Sequence, residues 1–162
     1  MTYQLKISPE AKKTVDALRE QGLDIPSSTN VVMPQLPSDI TQLSDEELME
    51  LFTAITAFLD FISYQVSLAD IDEKALEKQL DVAVAVATAN QPKGLASVIK
   101  AAALADPKVV DLSNEHSVAY NYRKLISTMA DNLTRDLSLV SRELTRRTAD
   151  NSPMIRSRKF IS

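Results

Sequence analysis

The side chains that could support catalysis or metal binding are few in this sequence. Its 162 residues include no Cys and one His, His116, which follows Glu115 and has no nucleophile at a recognisable spacing. Disulfide scaffolds, Cys/His zinc sites and thiol catalysis are thereby excluded, and Ser-His-Asp chemistry would depend on His116 alone. The 2 glycines, Gly22 and Gly94, are too few for most phosphate-binding loops. We therefore predict a protein that is not an enzyme and has no metal, organic cofactor or small-molecule substrate.

Carboxylates near the middle of the chain are the one group that could suggest a metal site. They are Asp70, Asp72, Glu73, Glu77 and Asp81. A di-iron helical bundle needs Glu-x-x-His pairs on facing helices, and the sequence contains none. Lys74 and Lys78 lie among these acids at the i,i+4 spacing of helical ion pairs. The pattern favours a solvated, ion-paired helix face.

Basic residues that could bind an anionic partner accumulate toward the C-terminal end. They are Arg135, Arg142, Arg146, Arg147, Arg156, Arg158 and Lys159. Cations near a helix C-terminus are favoured by the helix dipole in any protein, but this group is larger than that effect requires. Guanidinium groups beside an aromatic ring such as Phe160 can bind phosphates and stack a base. Three interpretations stay open: contact with nucleic acid, contact with an acidic patch on a sister subunit, or simple solvation.

The net charge of -4 conceals a strong asymmetry along the chain. Residues 1–35 are neutral, residues 36–92 have a net charge of -9, and residues 93–162 have a net charge of +5. The acidic and basic halves therefore either pair with each other or leave a basic face for an anionic partner.

Hydrophobic periodicity predicts an all-α fold with two long helices, at about residues 44–90 and 107–149. The first begins at a capping box in residues 44–47, and both carry apolar residues about every 3.5 positions, as in a coiled coil. A short helix at residues 95–104 lies between them. We expect an elongated antiparallel helical hairpin, residues 44–149, in an oligomeric bundle.

Three further segments accompany the hairpin domain. Residues 1–22 contain a short N-terminal helix, from about residue 9 to 21, that ends at Gly22. Residues 23–43 contain Pro26, Pro34 and Pro37, which predict an extended linker, or an arm that lies on another subunit. Residues 150–162 are expected to form a basic tail beyond the last helix.

The antiparallel hairpin predicts specific contacts between its two long helices. We expect Leu51, Ile55, Phe58 and Ile62 to pack against Leu133, Leu137, Val140 and Leu144. Because the start of one helix then lies beside the end of the other, we expect Glu46, Glu47 and Glu50 to lie near Arg142, Arg146 and Arg147.

Several apolar residues fall outside the two predicted seams. They are Phe52, Leu59, Phe61, Val118, Leu125 and Leu139. A single hairpin cannot cover this apolar surface, so we predict that a neighbouring subunit covers it and that the protein is a homo-oligomer.

Nothing in the sequence favours a membrane segment. The N-terminal residues lack the apolar region of a secretory signal, and no uncharged apolar run approaches the ~18 residues that a span requires. We therefore predict a cytoplasmic protein, in the host cell cytoplasm if the chain is phage-encoded, with no membrane partner.

Residues 93–149 combine several recognisable stretches. A lysine-bearing short helix, KGLASVIK at residues 93–100, leads into ADPKV at residues 105–109. A long helix with Tyr120, Tyr122 and Leu125 follows and ends in SRELTRR at residues 141–147. Together with LSDEELMEL at residues 43–51, these stretches resemble the UvsY-type recombination mediators of phages.

The resemblance implies a small helical protein that assembles into rings, binds single-stranded DNA and helps to load a RecA-like recombinase. That family carries its DNA-binding Lys and Arg residues, interleaved with aromatic residues, toward the end of the first long helix. The matching residues here, 80–86, include no basic residue and no aromatic residue. DNA binding would then fall to Lys93, Lys100, Arg142, Arg146, Arg147, Arg156, Arg158 and Lys159. The alternative is a structural or protein-binding helical module, such as a virion assembly component, whose arm at residues 23–43 grips its neighbours.

Overall fold

The computed structural model describes residues 2–26 and 28–150, and its fold is all-α, as predicted from the periodicity. The elements are β1 (Tyr3–Gln4), α1 (Pro9–Glu20), β2 (Ser28–Thr29), a 3-10 turn (Ile40–Gln42), α2 (Asp45–Ala89), α3 (Ala96–Leu104) and α4 (Pro107–Asp150). The two-residue strands β1 and β2 pair antiparallel, with Tyr3 opposite Thr29. The remaining architecture is a long helical hairpin of α2 and α4 with α1 and α3 attached.

Helix α2 begins at the predicted capping box. The Ser44 hydroxyl accepts a hydrogen bond from the Glu47 amide at 3.2 Å, and the Glu47 carboxylate accepts one from the Ser44 amide at 2.7 Å. These two bonds satisfy amides that lack partners at the start of a helix, and the bond that the Glu47 carboxylate accepts from the Ser44 amide lowers the pKa of Glu47. The helix then continues for 45 residues, through the alternating valines of residues 82–86, and ends before Asn90.

The large buried side chains lie at the end of the hairpin where α2 starts and α4 finishes. Phe58, Leu48, Ile55, Leu133 and Val140 are the largest fully buried side chains on the two long helices. Leu51, Ile62, Leu137 and Leu144 belong to the same cluster, which confirms the predicted packing between the helices. Arg147 near the end of α4 contacts Asp45 at the start of α2 at 2.8 Å, so the two helices are antiparallel.

The N-terminal segment and the proline-containing arm pack on their own hairpin. The Tyr3 ring meets the Phe58 ring edge-on, with 5.4 Å between centroids, and the backbone amide of Lys6 donates to the Gln65 amide oxygen at 2.8 Å. Apolar side chains of the arm join the same core: Ile25, Val31, Leu36, Ile40 and Leu43. These five side chains are used within the chain, whereas Val32 and Met33 of the same arm stay exposed, so contact of the arm with another subunit stays a prediction.

Phe61 departs from the prediction that apolar residues outside the hairpin seam are covered by a neighbouring subunit. We expected its side chain to need cover from a neighbouring subunit, but it is buried. Its ring lies 6.2 Å from that of Phe58, in the core to which the N-terminal segment contributes Tyr3 and Leu5. The chain itself supplies part of the cover that we had assigned to oligomerisation.

The opposite end of the hairpin has a second, smaller core. Its buried members are Ala83, Ala87, Ala103 and Val109, with Leu80, Val84 and Leu112 partly buried around them. Helix α3 packs here against α2 and α4. Since alanine side chains bury little surface, much apolar area around α3 stays exposed, including Val82, Val86, Leu95 and Val98.

Within the described residues, α2 is the helix that is long and apolar enough to cross a membrane by length and composition. An 18-residue window of it has a mean hydropathy of 1.4, and 33% of that window is buried inside the protein. Core helices of other proteins pass the same test, and α2 packs its apolar face against α4 and the N-terminal segment.

Candidate interaction surfaces

The predicted nucleic-acid-binding residues lie at opposite ends of the hairpin. Lys93, between α2 and α3, and Lys100, on α3, are both exposed at one end. Arg142, Arg146 and Arg147 lie in the last turns of α4, about 50 Å away at 1.5 Å per residue. The structure does not bring these two groups together, and Arg156, Arg158 and Lys159 lie outside the described residues.

Arg147 fastens the end of α4 to the start of α2. Its guanidinium donates to the carboxylates of Asp45 and Glu143, each at 2.8 Å. It also donates to the backbone carbonyls of Ile40, Thr41 and Leu43, at 3.4, 3.0 and 2.8 Å. A guanidinium has five N–H donors, and these acceptors occupy them all, so the fold itself uses the hydrogen-bonding capacity of Arg147.

Glu143 is a buried carboxylate held between two arginines. The Arg146 guanidinium donates to both of its oxygens, at 2.7 and 2.8 Å, and also to Asp150 at 2.9 Å. Hydrogen bonds from Arg146 and Arg147 lower the pKa of Glu143 to about 2. Unlike Arg147, the Arg146 side chain is 56% exposed, so one side of it faces solvent.

This carboxylate should make stability dependent on acid pH. The folded-state pKa of about 2 lies below the ordinary 4.5, so ionised Glu143 stabilises the fold at higher pH and loses that effect as pH falls toward 2. We expect the wild type to be more stable than Glu143→Gln at about pH 7, with a difference that shrinks toward about pH 3. Urea midpoints at several pH values measure this, and a constant difference would contradict it.

Arg142 takes no part in this network of ion pairs. Among the described residues it forms no ion pair, and it lines a shallow hollow of about 370 Å³ with Phe52, Leu137, Ser138 and Ser141. The acids that hold the neighbouring arginines are Asp45, Glu143 and Asp150. The two predicted groups lie at the same end of the hairpin, since Asp45 directly precedes Glu46, but among the described residues Glu46, Glu47 and Glu50 form no ion pair with these arginines, in part because the Glu47 carboxylate caps α2.

Cation–aromatic surfaces lie on two sides of α4 between the ends of the hairpin, because Tyr120 and Tyr122 are about 160° apart around the helix. The Tyr120 ring has the Arg123 guanidinium 5.6 Å and the Lys124 amine 5.9 Å from its centroid. The Lys6 amine lies 5.6 Å from the centroid of Tyr122. Both rings are accessible, with 40% of Tyr120 and 38% of Tyr122 exposed. Such cation–π pairs are favourable contacts that leave a ring face or edge open to a ligand.

Sequence reasoning missed Arg123, Lys124 and Lys6 as candidate site residues. Arg123 and Lys124 could have been found, because they directly follow two tyrosines in the run Tyr120-Asn121-Tyr122-Arg123-Lys124. Lys6 could not, because it reaches Tyr122 only after the N-terminal segment docks on the hairpin.

The carboxylates of α2 have partners near this surface. Glu73 accepts hydrogen bonds from Arg123, whose pKa they raise, and Asp70 pairs with Lys74 at 2.5 Å at the predicted i,i+4 spacing. Asp72 accepts a hydrogen bond from the Ser8 hydroxyl, at the start of α1. In the described part of the chain there is no cluster of three or more potential metal ligands.

An open apolar groove runs between α2 and α4. One hollow, of about 830 Å³, is lined by Ala75, Val82, Val86, Leu112 and the stems of Lys78 and Lys108, among others. A second, of about 490 Å³, is lined by Leu76, Val118, Ala119, Tyr122 and Lys6, among others. Ala83 and Leu112 line the first hollow, and Leu76 and Ala119 line the second. On each helix the two residues are seven positions apart, so both hollows lie on the same face of the hairpin. The groove has the shape and lining that accept an apolar helix.

The outer side of α4 adds exposed apolar side chains. Val118 is 70% exposed, Leu125 68% and Leu139 45%. All three were among the residues that we predicted to lie outside the hairpin seam.

Comparisons with protein-family models, with curated proteins and with solved structures found no match to this chain.

Proposed function

We propose that the protein is a non-enzymatic accessory protein that assembles as a homo-oligomer, binds single-stranded DNA and acts as a recombination mediator of the UvsY type. Its partners would be further copies of itself, single-stranded DNA and a RecA-like recombinase, in the cytoplasm of a phage-infected cell. The observation that carries the DNA-binding part is one accessible tyrosine beside two cations on α4, Tyr120 with Arg123 and Lys124.

The chemistry of this surface suits a single strand better than a duplex. An unpaired base can stack on an accessible tyrosine ring, and the neighbouring phosphate can meet an amine beside that ring. Lys124 is exposed and serves as such an amine, whereas Arg123 is partly neutralised by Glu73 and Asp70. The contact depends on the base face and the backbone charge, so it does not require a particular sequence.

One subunit offers only weak attraction to DNA because its net charge is -4. Assembly changes this, since linked copies present many cation–aromatic surfaces at high effective concentration to one flexible strand. Lys93, Lys100, Arg142 and Arg146 would extend the positive surface along each hairpin. By this mechanism the assembly gathers single-stranded DNA and holds it for a recombinase.

Binding of a fluorescent oligodeoxythymidine, followed by anisotropy at two salt concentrations, tests the proposal. We expect wild-type affinity to fall steeply with salt, because each phosphate contact contributes about 0.7 to the log–log slope for a single strand. The double change Tyr120→Leu and Lys124→Gln removes one stacking platform, worth ~1–3 kcal/mol, and one phosphate contact. We expect roughly 5- to 150-fold weaker binding and a slope reduced by about 0.7.

The matched control changes Lys12 and Lys13 to Gln. These exposed lysines lie on α1, and no cation–π contact is found for either within the described residues. The control should lose less affinity than the double variant, with both proteins retaining wild-type helicity by circular dichroism. Equal losses in the two variants, or no salt-dependent DNA binding by the wild type, would contradict the proposal.

The apolar groove favours a second candidate function, a structural or protein-binding module such as a virion assembly component. The groove and the exposed side chains of α4 would then serve helix–helix contacts alone. Assembly through such contacts should persist in high salt, which strengthens apolar association and screens charges. Salt-resistant assembly without DNA binding would therefore favour this function.

A further inference from the structure

One line of residues along α4 continues a heptad spacing on a face that the hairpin leaves open. Val118, Leu125, Asn132 and Leu139 are seven residues apart and all exposed. We refer to these four residues as the outer stripe. Three of its members directly precede buried residues, Ile126, Leu133 and Val140, so the outer stripe lies about 100° around the helix from the hairpin seam.

We propose that the outer stripe packs against the outer stripe of a second copy, with the two α4 helices parallel and in register. This inference rests on the self-association in the proposed function and identifies the surface that would carry it. The stripe contains three apolar residues and no charge, so two copies can approach without burying an unpaired ion. A heptad line of apolar residues with a single Asn is the pattern by which coiled coils select a register.

Asn132 distinguishes parallel from antiparallel packing. In a parallel pair in register, Asn132 faces Asn132 of the second copy, and the two amides can hydrogen-bond to each other. In an antiparallel pair that overlaps the whole stripe, position 118 meets 139 and Asn132 meets Leu125, which buries an amide against an apolar side chain. Within the chain, Asn132 uses its oxygen to accept from Arg135, so its two N–H donors stay available.

Charged residues beside the outer stripe also favour parallel packing. Arg135 and Asp136 follow Asn132 by three and four residues, so they flank the stripe on opposite sides. Parallel packing sets opposite flanks against each other, which brings Arg135 of one copy beside Asp136 of the next at nearly the same height. Antiparallel packing would set Arg135 near Asn121 instead. Neither charge has an oppositely charged partner among the described residues.

The proposed contact leaves Tyr120 and its cations accessible, whereas Tyr122, four residues after Val118, flanks the stripe. Tyr120 precedes Leu125 by five residues and therefore lies about 140° around the helix from the stripe. Parallel packing also places the α3 end of every copy on the same side of the assembly. DNA would then meet repeated tyrosines and lysines at one height along the bundle.

Single-cysteine cross-linking tests the register, because the wild-type chain contains no Cys. We expect Leu125→Cys, Asn132→Cys and Leu139→Cys each to form a disulfide-linked dimer with itself under mild oxidation. The control Asp131→Cys is exposed but about 100° away from the stripe, and it should link poorly. Linking in mixtures of Val118→Cys with Leu139→Cys, but not in either alone, would overturn parallel packing.

Light scattering tests whether the stripe carries the assembly at all. Leu125→Glu should reduce the mass from that of the oligomer to the subunit mass of 17.9 kDa, with helicity retained. Arg135→Glu should weaken assembly, and adding Asp136→Arg in the same chain should restore it. An oligomeric wild type with unchanged mass in Leu125→Glu would overturn this inference. A stripe-dependent oligomer that does not bind oligodeoxythymidine would support the inference and contradict the proposed DNA-binding function.

Discussion

Phe58→Ala is expected to lower the free energy of unfolding by about 3–5 kcal/mol, the usual range for a fully buried phenylalanine. Its side chain is only 1% exposed, and it contacts Tyr3 of the N-terminal strand as well as Phe61 on α2. Truncation would leave a cavity where the hairpin and the N-terminal segment meet, so both would lose packing. Urea unfolding followed by circular dichroism measures the change.

Phe52→Ala is the matched control for Phe58→Ala. Phe52 lies on the same helix, less than two turns earlier, and its side chain is only partly buried. The same truncation there removes less buried surface, so we expect a clearly smaller loss of stability. Similar losses in the two variants would show that Phe58 is not at the centre of the core.

Arg147→Ala is expected to shift the urea midpoint further than any other change of a charged residue at this end of the hairpin. The substitution removes donors from Asp45, from buried Glu143 and from the carbonyls of Ile40, Thr41 and Leu43. Glu143 is buried and the bonds to Ile40 and Leu43 are partly buried, so these acceptors lose donors that water does not fully replace, which destabilises the folded state. Arg147→Lys should recover only part of the loss, because an ammonium has three donors and cannot reproduce the planar fork.

Arg142→Ala serves as the control for Arg147→Ala. Arg142 lies on the same turns of α4 but is exposed and forms no ion pair among the described residues. We expect the free energy of unfolding of Arg142→Ala to stay within about 0.5 kcal/mol of the wild-type value, as for most substitutions on a protein surface. If Arg142→Ala destabilises the protein as much as Arg147→Ala, the assignment of Arg147 as the fastening residue is wrong.

The hairpin itself could be predicted because its signals are local and periodic. The capping box at Ser44 and the spacing of Leu51, Ile55, Phe58 and Ile62 depend only on helix geometry, which is why the bounds of α2 and α4 agree with prediction. The antiparallel arrangement was predicted from the compact insert that joins the two long helices, residues 90–106 with α3.

The attachments to the hairpin could not be predicted from such signals. Strands of two residues have no measurable alternation, so the docking of Tyr3 and Gln4 beside Ser28 and Thr29 left no pattern in the sequence. Likewise, three of the acceptors that hold Arg147 are backbone carbonyls, which every residue type carries. The prediction used side-chain charges alone, so it placed Glu46, Glu47 and Glu50 beside the arginines and did not include these carbonyls.

The unequal cores at the two ends of the hairpin bear on how the chain folds. Ala87 and Val109 pack near the connection, where closing the loop between α2 and α4 is entropically cheapest. Arg147 and Asp45 meet across 102 positions, close to the large side chains around Phe58. The contacts that form fastest are thus the weakest, and the strongest require the longest loop closure. We therefore expect the small core beside α3 to form before the large core around Phe58.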